Sequence, residues 1–152
     1  MATLTGTAPK EFGKWFVDGT VTDPNIAVGY QIIWDGESFN TFIGASPMNA
    51  ATGVFTFPSA GIYRVNCQIV LLDHVEGDTA RYQLNLPIDG TSQLITRYDA
   101  TADMNFLSQS VNGLVTVSAG DTMTAQLFAS INSADIDGSA DCYSFLCVEK
   151  IA

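Results

Sequence analysis

The chain has 152 residues, 47% hydrophobic and only 14% charged, with a formal net charge of −10 and a pI near 4.1. A single domain of that size buries roughly 70% of the surface its unfolded chain exposes, so neither disulfides nor a metal is needed to hold a core. The acidic balance repels phosphate backbones and anionic bilayers, and no stretch approaches the ~20 apolar residues of a helical membrane span, so neither nucleic acid nor a membrane is expected as a partner.

The N-terminal stretch "MATLTGTAPKEFGKWF" has no basic region followed by an apolar run, which predicts an intracellularly made product without a secretory signal. Residues 1–25 are expected to form an arm or a first edge strand. Its patch of Lys10, Lys14, Trp15 and Phe16 has two readings: cover for the open edge of a sandwich, or a docking arm that meets acidic groups on a larger partner.

From Val28 onward short apolar runs alternate with Gly, Pro, Asn and Asp. Strands are expected near 28–34, 39–43, 53–57, 61–72, 79–88, 92–98, 104–117, 121–131 and 142–151, broken at "WDGES", "SPMNAATG", "PSAG", "DHVEGD", "PIDG", "SAGD" and "NSADIDGSAD". No segment sustains the i, i+3, i+4, i+7 spacing of a helix. The prediction is an all-β antiparallel sandwich of the jelly-roll kind. "ARYQLNL" and "MTAQLFA" alternate apolar with polar, as strands with one wet face do, whereas "YSFLCV", "QIVLL" and "QIIW" are apolar on nearly every residue. Strands of the second kind need cover on both sides, and a sandwich supplies only one.

Chemistry-bearing residues are sparse. His74 is the only histidine and sits where a strand enters an acidic turn; no G-x-S-x-G elbow, zinc spacing, P-loop or dinucleotide fingerprint is present. An enzyme is not expected, and no cofactor is expected beyond a candidate calcium loop, in which Asp135, Asp137 and Asp141 surround Gly138. Cys67, Cys142 and Cys147 lack metal spacing. Cys67 and Cys147 fall where strand alternation expects core, as buried free thiols.

The stretch "TGVFTFPSAGIYRV" resembles the signature of the globular head of complement component 1q, within the tumour necrosis factor-like trimeric jelly rolls, through Thr52, Gly53, Phe55, Pro58, Gly61 and Tyr63. "IIWDGESFN", "VSAGDTMTAQL" and "YSFLCVEKIA" follow in the family's order. The resemblance covers about residues 28–152 and implies a ten-strand jelly roll, eight of them core, with domain limits of 26–152, packed as a homotrimer around a threefold axis. Leu146, Val148, Val70, Leu72 and Ile32 are then the expected interface residues. Neither a Gly-X-Y stalk nor an N-x-S/T sequon occurs in the chain. The expectation is a virion protein, decorating or stabilising a bacteriophage capsid or forming a projection, with the major capsid protein or another virion protein as partner. The alternative is an extracellular head that recognises a glycan or protein through its loops.

Overall fold

The structure, a computed structural model, describes residues 10–152 except 23, 25, 75–79, 101–103, 131–133 and 139–142. Two antiparallel sheets face each other. The first runs β9 (Met104–Val117), β6 (Gly61–His74), β13 (Phe145–Lys150), β1 (Phe12–Phe16) and β3 (Gly36–Asn40), with the short β12 (Asp135–Ile136) also paired to β6. The second holds β2 (Tyr30–Gln31), β11 (Gln126–Ala129), β7 (Ala80–Ile88), β10 (Thr122–Met123), β5 (Val54–Thr56) and β4 (Met48–Asn49), with β8 (Thr91–Ala100) along β7. A single 3-10 turn, Ile26–Val28, is the only helical element among the described residues. None of those residues forms a helix long and apolar enough to cross a membrane.

The long strands lie close to their expected positions because each carries its own breakers. "PIDG" makes the tightest connection: Asp89 and Gly90 have φ of 47° and 75°, the paired left-handed residues of a two-residue hairpin turn between β7 and β8. The Asp89 carboxylate then accepts the Thr122 backbone N–H at 2.8 Å and tethers that hairpin to β10.

"TGVFTFPSAGIYRV" is a corner of the sandwich. Gly53 has φ of 67°, and a β-carbon there would overlap the Ile32 carbonyl oxygen, so only glycine fits where the chain crosses the 32–33 backbone. Phe55, Phe57 and Tyr63 are fully buried and stack edge-on, Phe57 lying 5.0 Å from Phe55 and 4.9 Å from Tyr63 between ring centroids. The Tyr63 phenol donates to the Ser59 carbonyl oxygen at 2.9 Å and closes the "PSAG" turn. Trp15 and Phe42 complete this aromatic cluster.

Two expectations about the chain's course are corrected. Residues 12–16 form neither an arm nor an edge strand, because β1 lies between β13 and β3 with partners on both sides. Trp15 and Val17 are buried, so the burial of these side chains draws the segment into the sheet. The "ADIDG" stretch, expected as part of a turn, contains β12, whose Asp135 and Ile136 pair with Leu72 and Leu71. Buried Ala134 and Ile136 supply the apolar contact that holds it there.

The sheets are joined at one margin by a polar tie. Gln109 on β9 is buried and donates to the Thr96 carbonyl oxygen of β8 at 3.0 Å.

Candidate assembly interface

In a β-strand successive side chains point to opposite faces, so pairing register decides which residues meet on the outside of a sheet. On β6 the side chains of Tyr63, Val65, Cys67, Ile69 and Leu71 face the core and are fully buried. Those of Ile62, Arg64, Asn66 and Gln68 therefore face outward. The antiparallel registers align them into transverse rows. One runs Phe12–Glu149–Arg64–Leu114 over β1, β13, β6 and β9; the next runs Phe39–Lys14–Cys147–Asn66–Asn112, starting on β3; a third runs Phe16–Phe145–Gln68–Ser110.

This outer face is apolar at its margins and charged near its middle. Phe12 and Phe39 meet edge to face at 5.0 Å, and Leu114 and Phe106 on β9 are 61% and 64% exposed. Glu149 lies between two cations, its carboxylate 3.1 Å from Arg64 and 3.7 Å from Lys10. The Lys14 ammonium sits 5.2 Å from the centroid of the Phe145 ring, within the range of a cation–π contact. Three concavities share Arg64. A trough of about 420 Å³ is lined by Phe12, Phe39, Asn66 and Cys147 among others. A second, of about 590 Å³, opens toward Ile43, Lys150 and Ile151. A third, of about 370 Å³, reaches Asn112 and Leu114.

The residues expected at the interface are largely elsewhere. Ile32, Leu146 and Val148 are 0%, 2% and 1% exposed within the single chain and belong to its own core. Val70 and Leu72 have the outward parity, but Val70 is covered, its backbone joined to Ser144 and Asp137, and Leu72 is half-buried. The two-faced apolar character of "YSFLCV" is present, but Phe145 and Cys147 are its outward members. For the same reason Cys147 is not a core residue: it is half-buried on the outer face. Burial pushes its thiol pKa up, and the neighbouring Lys14 charge partly opposes that. Cys67 is the buried free thiol that alternation predicts, with its pKa raised further by burial.

Lys14 and Phe16 lie on this face, on an integral strand, and Lys10, just before that strand, reaches Glu149 on it, while Trp15 points inward and donates its indole N–H to Glu37 at 2.9 Å. Arg64 and Glu149, which complete the charged centre, come from strands far apart in sequence, and the only sequence signal for them is their phase on β6 and β13.

Of the three calcium candidates the structure describes two. Asp135 is half-buried and Asp137 buried at the β12 edge, and Asp141 lies outside the described residues. Among the described residues no group of three or more His, Cys, Asp or Glu could hold a metal ion. His74 is the last residue of β6.

No protein-family model matches the chain, and no curated protein matches it in sequence. Its fold is nonetheless similar to solved structures. The crystal structure of murine APRIL at pH 8.5 superposes with a TM-score of 0.64 at 15% identity, over 93% of this chain and 99% of that one. Murine APRIL at pH 5.0 gives a TM-score of 0.67 at 14% identity over the same shares. At that level of identity the likeness is one of fold alone: an all-β antiparallel sandwich of the jelly-roll kind.

Proposed function

We propose that this chain is a non-catalytic structural and interaction protein that assembles as a homotrimer through the outer face of its first sheet. The observation that carries this reading is the set of exposed large apolar side chains at the two margins of one sheet face, Phe12 and Phe39 on one side and Phe106 and Leu114 on the other, with concavities between them. Full burial of such a side chain is worth about 1.5–3 kcal/mol, of which these partly covered residues would gain the share still exposed, and exposed apolar surface of this kind marks an interaction site. The tumour necrosis factor-like fold of murine APRIL supports self-association of the same kind. Light scattering after size exclusion is expected to give three times the 16.2 kDa of the chain. A monomer at micromolar concentration would overturn the reading.

The setting we propose is a virion, where the trimer decorates or stabilises a bacteriophage capsid, or forms a projection, with the major capsid protein or another virion protein as its second partner. Its support is compositional: an acidic jelly roll with neither a Gly-X-Y run nor a sequon in 152 residues. The second reading, an extracellular head that binds a glycan or protein, is favoured by the fold shared with murine APRIL, a ligand of the tumour necrosis factor family. Mass spectrometry of purified virions finds the protein in the first case. Binding to a glycan or receptor array without capsid association selects the second.

A further inference from the structure

We infer that the cleft between the end strands of the two sheets, β3 and β4, binds a neutral saccharide residue, one hydroxyl of which bridges the Trp34 indole N–H and the Glu37 carboxylate. The inference goes beyond the assembly reading, on which it does not depend, and holds in either proposed setting.

Two turn segments build the cleft. "WDGES" brings Trp34, Asp35 and Glu37 to the start of β3, and "SPMNA" brings Ser46, Met48 and Ala50 to β4. β3 ends the first sheet and β4 the second, so the cleft, of about 150 Å³, lies at the margin opposite the Gln109 tie between β8 and β9. Trp15, Trp34 and Met48 are buried and form its floor, whereas Asp35, Glu37, Ser46 and Ala50 are exposed at its rim.

Its polar groups suit a ligand that both donates and accepts. The Trp34 indole N–H is buried and finds no acceptor among the described residues, and a buried donor left unpaired carries the full cost of its desolvation. Glu37 accepts the Trp15 indole N–H at 2.9 Å and the Ser46 hydroxyl at 2.8 Å, both on Oε2. Those bonds orient the carboxylate and leave Oε1 to accept a further donor. A hydroxyl answers both needs at a single oxygen, accepting from the indole and donating to the carboxylate. An ammonium ion would set donor against donor at Trp34, and an anion would meet Asp35 and Glu37 with no cation lining the cleft. The volume is roughly the share of five waters in the liquid. It is too small to enclose a drug-sized ligand but takes the edge of one sugar ring, whose C–H face meets Met48 and Ala50. Met48 is unbranched and flexible, so it gives way as the hydroxyl reaches the indole.

Trp15 and Trp34 are the chain's only tryptophans, so a nitrogen–proton correlation spectrum of the labelled full chain contains two indole resonances, both reporting on the cleft. Titration with glucose, galactose and mannose is expected to shift the Trp34 resonance for at least one of the three, saturating in the millimolar range, while N-acetylneuraminic acid and tetramethylammonium leave it in place. Ala50→Phe, at an exposed rim position, fills the cleft and is expected to abolish the shift with the circular dichroism spectrum unchanged. Glu37→Gln removes the charge, keeps an oxygen for Trp15, and is expected to weaken binding by about tenfold or more. Indole resonances that none of the sugars moves at tens of millimolar overturn the inference and leave the cleft to water. A shift that survives Ala50→Phe places binding elsewhere and overturns it too, as does an equal shift with tetramethylammonium. None of these results bears on the trimer, which light scattering tests separately.

Discussion

Gly53 and Ile32 are in contact through backbone alone: the space a β-carbon on Gly53 would need is taken by the Ile32 carbonyl oxygen. With φ at 67°, Gly53→Ala meets both a left-handed conformation and a collision that no side-chain rotation relieves. The conformation by itself costs about 1–2 kcal/mol, and the collision adds to it. Gly120 has φ of 90°, and the place its β-carbon would take has no other atom within 4 Å, so Gly120→Ala is expected to show only the conformational part. Urea unfolding of the two variants should rank Gly53→Ala as clearly the less stable.

Tyr63 joins the aromatic cluster to the "PSAG" turn by its hydrogen bond to Ser59. Tyr63→Phe keeps the ring and removes the donor, and a loss of about 0.5–1.5 kcal/mol is expected. Phe57→Ala empties a fully buried site and should cost about 3–5 kcal/mol. Denaturant midpoints at constant slope measure both.

Inward and outward positions on the first sheet separate stability from assembly. Leu114→Asp and Phe39→Asp place a charge on exposed positions and are expected to yield folded monomers by light scattering. Leu146→Asp puts an unpaired carboxylate into the core and is expected to prevent folding, since an isolated buried charge costs several kcal/mol.

The Cys147 thiol reports coverage of the face. Its raised pKa predicts slower alkylation at pH 8 than that of an unperturbed thiol, with the rate climbing as pH rises. In the assembled protein it should be protected further, and Leu114→Asp should restore the rate of the single chain. Cys67, fully buried, should react only on unfolding. Mass spectrometry of the labelled peptides distinguishes the two sites.

Acid stability should depend on Asp89. Hydrogen bonds, first from the Thr122 backbone, hold its pKa below the usual carboxylate value. A carboxyl group whose pKa is lower in the folded state stabilises above its unfolded pKa of about 3.9 and loses that contribution as pH falls through the folded value. Asp89→Asn is therefore expected to weaken the protein at neutral pH and to flatten the decline in urea midpoint below about pH 4.

The sequence alone determined the all-β class, the positions of the long strands and the inward phase of Tyr63, Val65 and Cys67, because alternation and turn residues act over a few neighbours. It also held the Gly53–Tyr63 corner, whose glycine, proline and aromatic residues answer to local geometry. Only the tertiary structure decided the phase of "YSFLCV": where nearly every residue is apolar, alternation is a weak guide and misplaced Cys147, and pairing of β13 with β1 and β6 turns Leu146 and Val148 inward and Phe145 and Cys147 outward. The same pairing drew β1 into the sheet, where burial of Trp15 outweighed the Thr- and Gly-rich character of the stretch before it. The charged centre of the face joins Lys10, Arg64 and Glu149, residues that meet only because β1, which Lys10 precedes, β13 and β6 are distant in the chain but neighbours in the sheet.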